Sequence, residues 1–254
     1  MQELFKYLNE YYDKIYVVSI AAAESRRSLF EQRFKGLNYR FFFGSDKHEF
    51  NREEAEKSGM FSEELARHHH RFGKTMKLGE IACSLSHRYI YEEMIKNNYS
   101  RVFIFEDDAV PNPGLLINIP AILSEIPPGC ELLMWGWDKN GEIPPGAFMK
   151  KIVYHIKHGF GSLKWNHKMI SNLYARPFSP HLKKAGFHDY TYAYALTITA
   201  AEKLIKMQTP VQYIADNLLA HAATNEVVKS YIAYPKLFLH DSLPDGTHRN
   251  SSIR

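Results

Sequence analysis

The chain has 254 residues, 45% of them hydrophobic, which is enough for one sizeable core and predicts a single domain over residues 1–254. Thirty-two Lys and Arg against 28 Asp and Glu give a formal net charge of +4, an excess too small to indicate nucleic-acid binding.

Cys83 and Cys130 show no CxxC spacing, which favours free thiols in a reducing compartment. No apolar run reaches the roughly 18 residues of a membrane span, and the N-terminal sequence lacks the apolar core of a signal peptide. We expect a cytoplasmic protein, with peripheral membrane contact left open.

Short apolar runs alternate with helical patterns along the chain. Strands are predicted at 14–20, 39–43, 101–106, 130–137, 190–198 and 230–240, where the residues are β-branched, aromatic or continuously apolar. Helices are predicted at 23–34, within 51–70, at 78–98 and at 200–207, and Ser25 is a candidate N-cap of the first of these. This alternation predicts an α/β fold with a mostly parallel central sheet flanked by helices.

Residues 143–188 differ in composition from the rest of the chain. The segment contains no Asp or Glu, but it has eight Lys or Arg, five His and seven aromatic residues. It shows no clear periodicity and is predicted to be a long loop, which in a compact domain is usually functional or disordered.

Three carboxylates follow the strand in "RVFIFEDDAV". Glu106, Asp107 and Asp108 lie at the carboxyl end of a buried strand, the edge at which open α/β sheets bind ligands. If the extended geometry continues, Glu106 and Asp108 point to one side and offer two oxygen donors suited to Mg²⁺ or Mn²⁺. The alternative is a solvated acidic strand end that discourages edge pairing.

Several motifs occur together in the order seen in a known family. "VVSIAAAESRR", "LGEIACSLSHRYIYEEMI", "VFIFEDDAV", "YTYAYALTITAAEKLI" and "VQYIADNLL" resemble, in this order, elements of glycosyltransferase family 25. This family contains the bacterial lipooligosaccharide-biosynthesis transferases and is related to the collagen galactosyltransferases. The chain departs from the usual pattern at Ser19-Ile20, where Asn-Leu is common, and at His240, where many members carry Gln.

The resemblance implies a GT-A-like nucleotide-sugar-binding domain and an inverting hexosyltransferase. The implied reaction moves galactose or glucose from a UDP-sugar to a lipooligosaccharide or lipopolysaccharide core, with a β-galactosyltransferase as the leading expectation. The residues expected to bind the donor are Arg26, Arg27, Ser86, His87 and Asp107. A divalent cofactor, Mn²⁺ or Mg²⁺, is expected at Glu106, Asp108 and His240.

Transfer to a sugar hydroxyl needs a general base, because the hydroxyl is a weak nucleophile. Asp216 matches the aspartate of the family's V-D-x-x-L motif and is the predicted base, with Asp189 in reserve. The alternative role for Asp216 is a helix N-cap, since Asp is favoured there.

The basic segment at 143–188 is predicted to be the acceptor-side insertion. Aromatic rings stack on sugars, and cationic groups bind phosphates or carboxylates. The expected contacts to an anionic glycolipid are Lys150, Lys151, Trp165, Lys183 and Lys184. Such an acceptor is made at an anionic membrane surface, so contact with the cytoplasmic face of the inner membrane is part of this hypothesis. A solvated basic loop is the alternative.

Two other functions fit parts of the pattern. A non-catalytic glycan or sugar-nucleotide binding protein would keep the fold without the chemistry. A metal-dependent phosphohydrolase would use the acids and histidines, but the sequence has no recognisable nucleophile motif for it.

Overall fold

The structure is a computed structural model that describes residues 2–241. Its centre is an eight-stranded sheet with the strand order β2-β1-β3-β8-β5-β9-β7-β6, and β4 pairs with β10 in a separate two-stranded sheet. The strands are β1 (Lys14–Ser19), β2 (Arg40–Phe43), β3 (Arg101–Glu106), β4 (Ala109–Pro111), β5 (Leu132–Met134), β6 (Arg176–Pro177), β7 (Leu182–Lys184), β8 (Ala193–Thr197), β9 (Ser230–Ala233) and β10 (Phe238–His240).

This sheet contains both parallel and antiparallel pairs. β1 runs parallel to β2 and β3, and β5 runs parallel to β9. β8 lies between β3 and β5 and is antiparallel to both. The sheet is therefore mixed, and its parallel half aligns the carboxyl ends of β1, β2 and β3 at one edge.

Helices cover both faces of the sheet and confirm the predicted α/β fold class, in an arrangement compatible with a GT-A-like fold. They are α1 (Gln2–Tyr11), α2 (Glu24–Arg33), α3 (Arg52–Lys57), α4 (Glu63–His69), α5 (Leu78–Lys96), α6 (Ile119–Glu125), α7 (Ala147–Gly159), α8 (His167–Ser171), α9 (Ile198–Met207) and α10 (Ala215–Thr224). No helix among the described residues is both long and apolar enough to cross a bilayer.

The side chains of β3 divide between two cores because successive strand residues point to opposite faces. Phe103 and Phe105 pack with Phe30 and Phe34 of α2 on one face. Ile104 packs on the other face with residues of α5, α9 and α10. Every side chain of β3 between its first and last residue is buried, so the strand is a rigid base for the carboxylates that follow it.

Several local predictions differ from the structure. Helix α2 has Ala23 as its N-cap, with no side-chain capping bond, so Ser25 lies inside the helix. Residues 51–70 form two helices, each with its own side-chain cap: Asn51 accepts from the Glu54 amide and Ser62 from the Leu65 amide. The predicted strand at 230–240 is divided into β9 and β10, with Pro235, which lacks an amide donor, between them.

The loop prediction for residues 143–188 is wrong. The segment contains α7, α8, β6 and β7, and it builds a small core of its own. That core comprises Ala147, Leu163, Trp165, Met169, Ile170, Leu173, Tyr174 and Phe187, together with Ala220 of α10. The sequence shows these apolar residues, but they lie on several short elements and pack against α10. They therefore do not repeat with the single helical or strand period that would have predicted the elements.

Candidate functional site

A cavity of about 120 Å³ opens at the carboxyl ends of β1 and β3. The polar residues that line it come from four places: Ser19 and Arg26 after β1, Ser45–Lys47 after β2, Cys83, Ser86 and His87 on α5, and Glu106–Asp108 after β3. Tyr190 closes the side that faces α10. The parallel arrangement of β2, β1 and β3 brings these segments together, because parallel strands end at the same edge.

Asp107 anchors Arg26 at the floor of the cavity. Its Oδ2 accepts a hydrogen bond of 2.5 Å from Ser19 Oγ, and its Oδ1 lies 3.2 Å from Arg26 Nε. Burial raises the pKa of the Asp107 carboxyl to about 6, while the positive charge of Arg26 and the Ser19 bond act in the opposite direction. Asp107 therefore positions Arg26, whose guanidinium faces the cavity, rather than offering a free carboxylate to a ligand.

Glu106 is the end of a buried polar chain that runs between α5 and the face of the sheet that α5 covers. One of its oxygens accepts from Thr191 Oγ1 and lies 3.5 Å from His87 Nε2. The other ring nitrogen of His87 is 2.7 Å from Tyr194 Oη, which in turn is 2.9 Å from Tyr91 Oη. Although burial raises the pKa of Glu106, its contacts with His87 and Thr191 bring that pKa below the ordinary value, so the carboxylate is held ionised.

Asp108 lies in a turn, because β3 ends at Glu106 and the extended geometry does not continue. Its Oδ1 is buried and has no hydrogen-bond partner within residues 2–241. Burial first, and then the charges of Glu106 and Asp107, raise the pKa of Asp108 to about 7. A buried oxygen of this kind is costly unless something cationic or a proton satisfies it.

His240 reaches this region through β10. It stands opposite Ala109 in the ladder between β10 and β4, and the Asp241 amide donates to the Asp108 carbonyl over 2.9 Å. The His240 ring lies 4.7 Å from the Tyr190 ring, and its Nε2 is 3.5 Å from Asp138 Oδ2. The structure thus brings His240 close to the carboxylate turn, although not into a common donor set with Glu106 and Asp108.

Atoms able to bind a metal ion do converge on Glu106, next to the carboxylate turn. Within residues 2–241, the one group of metal-ligating side chains whose atoms lie within 4.8 Å of one another is Cys83, His87 and Glu106. Cys83 and His87 are four residues apart on α5 and therefore lie on one helical face. Burial raises the pKa of the Cys83 thiol well above its usual range, with the Glu106 and Asp216 charges acting in the same direction.

Arg27 and Ser86 make internal bonds that hold loops at the first cavity, and Ser86 also lines that cavity. Arg27 donates to the carbonyls of Ile20 and Ala21 and so holds the turn after β1. Ser86 Oγ accepts a bond of 3.0 Å from the Ser45 amide, which ties the loop after β2 to α5. Gly44 permits this approach, because a Cβ at that position would lie 2.1 Å from Ser86 Oγ.

Asp216 is not a helix N-cap. The N-cap of α10 is Ile214, and Asp216 lies in the first turn of the helix. Its Oδ2 accepts a hydrogen bond of 3.1 Å from the Tyr190 amide, while its Oδ1 is buried with no hydrogen-bond partner in the described chain. Burial raises the pKa of Asp216 to about 6, opposed by the Tyr190 amide. A carboxylate with this pKa is ionised near neutral pH and can still accept a proton.

A second cavity, of roughly 220 Å³, is lined by Asn217, the residue after Asp216, although not by Asp216 itself. Its lining includes Asp189 and Asn217, the neighbour of Asp216, together with the cationic residues Arg71, Lys139 and Lys150. Lys139 is paired with Asp189 at 2.5 Å. Arg71 stacks on Trp165 at 4.3 Å and donates to Tyr154 Oη at 2.6 Å, and within the described chain it forms no ion pair with a carboxylate.

The predicted acceptor residues separate into two groups. Lys150 and Trp165 line the second cavity, although Trp165 is nearly buried and presents only part of its ring. Lys151 donates to the Ser171 carbonyl, Lys183 to the Gly141 carbonyl, and Lys184 to Glu226. These three lysines line neither cavity, so their role toward an acceptor stays a prediction.

Sequence reasoning missed Cys83, Tyr190 and Arg71. Cys83 could have been found from its i, i+4 spacing with His87 on a predicted helix. Tyr190 has a positive φ of 69°, an uncommon conformation for a bulky residue, which the sequence does not announce. Arg71, with its neighbours His70 and Phe72, is distant in the chain from the remaining residues of the second cavity, and only the fold brings it to Trp165.

The fold and the site define an α/β protein with a polar ligand cavity at the carboxyl edge of its parallel strands. The sequence model of "Glycosyltransferase family 25 (LPS biosynthesis protein)" matches residues 12–219. The chain belongs to glycosyltransferase family 25.

Curated relatives from the same family are 26–28% identical to this chain. The chain is 26% identical over 136 residues to the "Probable inactive glycosyltransferase 25 family member 3" of Bos taurus, a match covering 54% of this chain and 19% of that protein. It is 28% identical over 138 residues to a "Glycosyltransferase 25 family member" of Anopheles gambiae, covering 53% and 18%. The human "Inactive glycosyltransferase 25 family member 3" matches at 26% over 136 residues, covering 54% and 19%. The matched region spans less than a fifth of the length of these relatives.

Proposed function

We propose that the protein is an inverting glycosyltransferase that moves galactose or glucose from a UDP-sugar to an anionic glycolipid of the lipooligosaccharide or lipopolysaccharide core. The observation that carries this proposal is the position of Tyr190. Its ring lines the first cavity, and its amide binds Asp216 beside the second cavity. A donor in the first cavity and an acceptor in the second would therefore meet at Asp216.

The first cavity suits the nucleotide diphosphate. Arg26 is held there by Asp107, and guanidinium binds phosphate oxygens in a bidentate manner. Lys47 from the loop after β2 adds a second cationic side chain to the lining. Ser86 and Arg27 contribute indirectly, because they hold the two loops that close over this space.

A divalent cation fits beside the diphosphate. The buried Oδ1 of Asp108, which has no partner among the described residues, is the kind of oxygen that a cation would satisfy. Glu106 and Asp108 are the proposed oxygen ligands, and His87 and Cys83 converge on Glu106. His240 lies close to the carboxylate turn but outside that group, so its role as a ligand stays a prediction. Imidazole and thiol donors are softer than Mg²⁺ prefers, so Mn²⁺ fits this site better than Mg²⁺. When bound, the metal would neutralise charge on the departing diphosphate.

Asp216 is the proposed general base. It would remove the proton from the acceptor hydroxyl as that oxygen attacks the anomeric carbon and the bond to the diphosphate breaks. The pKa of about 6 makes the carboxylate basic enough for this task while leaving it ionised at neutral pH. The Tyr190 amide fixes the carboxylate by binding Oδ2, so the proposal assigns proton transfer to Oδ1, which has no hydrogen-bond partner among the described residues. Because Oδ1 is buried, the acceptor would have to open a path to it on binding.

The second cavity suits an acceptor sugar that carries phosphate or carboxylate. Arg71 and Lys150 provide positive charge that no ion pair within residues 2–241 neutralises. Phe72, Tyr154 and Trp165 provide ring surface for a sugar. Lys151, Lys183 and Lys184 remain predicted contacts outside this cavity.

A stabilisation screen tests the donor proposal. UDP-galactose, UDP-glucose and UDP alone are added with and without Mn²⁺, and the unfolding temperature is measured. Ligand at about 100 times its dissociation constant adds roughly 2.7 kcal/mol to the free energy of unfolding, which such a screen detects. Asp108→Ala is the matched control and should lose the Mn²⁺-dependent part. No stabilisation by any UDP-sugar would contradict the proposal.

A non-catalytic sugar-nucleotide binding protein is the second candidate, because two of the relatives carry names that describe them as inactive. Stabilisation by a UDP-sugar without donor hydrolysis or transfer would favour it. Hydrolysis of simple phosphate esters without sugar transfer would instead favour a phosphohydrolase.

A further inference from the structure

Helix α7 (Ala147–Gly159) carries its apolar side chains on the face that points away from the protein. The inner side of the helix holds the buried Ala147 together with Lys151, Tyr154 and His158, whose side chains contact the rest of the segment. The outward residues are apolar and exposed: Phe148 by 73%, Met149 by 60%, Val153 by 43%, Ile156 by 53% and Phe160, directly after the helix, by 85%.

These residues form one continuous stripe rather than scattered exposed positions. Met149, Val153, Ile156 and Phe160 are spaced by four, three and four residues, which places them on one helical face. A helix on the surface of a water-exposed domain normally turns such a stripe toward the core. Exposed apolar patches rimmed by polar groups mark interaction sites.

The rim of this stripe is basic. Lys150 and Lys157 belong to the same helix, and Lys164 follows it. None of the three forms an ion pair with a carboxylate of the described chain, and residues 143–188 contain no Asp or Glu. Apolar residues on one face with flanking lysines are the pattern of a helix that lies in the interface of an anionic bilayer.

We propose that the outward face of α7, with Phe160, docks on an anionic lipid bilayer. A second copy of this chain is a poor occupant, because a symmetric contact would bring the two basic rims against each other. The choice of a bilayer also rests on the proposed glycolipid acceptor, which would be anchored in such a membrane.

The inner side of the same helix connects this face to the proposed acceptor cavity. Lys150 and Tyr154 line that cavity together with Asp189 and Asn217. A helix lying in the bilayer interface would therefore form the wall between the lipid surface and the site at which Asp216 acts. A glycolipid headgroup would reach the cavity by passing this wall, while its acyl chains stayed in the membrane.

Vesicle flotation tests the docking face with the full chain. Vesicles of phosphatidylcholine alone are compared with vesicles of phosphatidylcholine mixed with phosphatidylglycerol, at low and high salt. The wild type should float with the anionic vesicles and bind far less to the neutral ones. The double variant Ile156→Ser/Phe160→Ser should reduce the partition coefficient by at least about tenfold, because two side chains no longer bury apolar surface in the bilayer.

Two further variants complete the design. Ile117→Ser removes an equally exposed isoleucine outside the segment and should leave partitioning unchanged. Lys157→Glu should weaken binding to anionic vesicles by about fivefold or more, with a smaller effect at high salt. All variants should unfold at the wild-type temperature, since the altered side chains are exposed.

Equal partitioning of wild type and Ile156→Ser/Phe160→Ser would overturn the proposal, as would a wild type that binds neither vesicle type. A change from dimer to monomer in that variant, without vesicle binding by the wild type, would assign the face to a protein contact instead. The binding test does not involve sugar transfer. A protein that floats but never transfers sugar would refute the enzymatic proposal and not the docking face.

Discussion

The backbone amide of Tyr190 donates a 3.1 Å hydrogen bond to Oδ2 of Asp216, joining a residue of the first cavity to the first turn of α10. Tyr190 adopts a φ of 69° to do so. For a bulky residue this conformation costs free energy of order 1–3 kcal/mol and persists only where the surrounding structure enforces it. The bond fixes one oxygen of Asp216 and orients the other, which is why we assign Asp216 the role of base.

Asp216→Asn should lower kcat by about 10²–10⁴-fold while changing donor KM little, because the amide keeps the shape of the side chain but cannot take a proton. The wild-type rate should rise with pH through an apparent pKa of about 6, and the variant should lack this limb. Asp189→Asn is the matched control and should retain most of the activity. The reverse ranking of the two variants would transfer the role of base to Asp189.

The same substitution should change stability in a direction that separates a functional base from a structural carboxylate. The folded-state pKa of Asp216 is raised from 3.8 to about 6, so its favourable contribution is complete below pH 4 and is lost as pH rises through 6. At pH 7.5 we therefore expect Asp216→Asn to be more stable than wild type, by about 1–3 kcal/mol, with no difference at pH 4. Urea unfolding at both pH values measures this. A variant less stable at pH 7.5 would indicate a structural role.

Cys83→Ser should weaken binding of a thiophilic cation such as Cd²⁺ or Zn²⁺, because Cys83 contributes the only sulfur of the Cys83, His87 and Glu106 group. Cys130→Ser removes the other cysteine, which lies outside this group, and should leave the affinity unchanged. Isothermal titration calorimetry on the two variants provides the comparison. Equal affinities would show that the thiol is not a ligand.

Gly44→Ala should destabilise the protein by about 1–3 kcal/mol and weaken donor binding. The added Cβ would lie 2.1 Å from Ser86 Oγ and 2.4 Å from Ser86 Cβ, which forces the loop after β2 away from α5. Gly159→Ala is the control, because a Cβ there meets nothing within 4 Å. Thermal unfolding of both variants measures the effect, and a stable Gly44→Ala protein would show that the loop can shift without cost.

Arg71→Ala should raise KM for a phosphorylated acceptor by about tenfold or more and leave donor KM unchanged, because Arg71 is the cation that lies on the ring of Trp165 at the second cavity. The double variant Lys183→Glu/Lys184→Glu tests the competing set of contacts. These lysines bond to Gly141 and Glu226, so we expect the double variant to have the smaller effect on acceptor KM. The opposite order would place the acceptor on β7.

Elements with a local signal were predicted correctly from the amino-acid sequence. The buried strand before Glu106, the long helix that carries Ser86 and His87, and the family motifs could be read without the structure, because periodicity and residue type specify them over short distances. The position of Glu106, Asp107 and Asp108 at the edge of the sheet followed from the same reasoning, since the end of a buried strand fixes the residues that follow it.

How these parts combine depends on long-range contacts that became visible in the fold. It turned the chain after Glu106, so Asp107 binds Arg26 while Asp108 holds a separate buried oxygen. It also made the segment at 143–188 two helices and two short strands with a small core instead of a loop. The physical reason is the same in both cases: burial and long-range contacts decide where a side chain points and what its pKa becomes, and the sequence does not contain these distances. Arg71 and Trp165 are far apart in the chain, yet they lie 4.3 Å from each other in the fold.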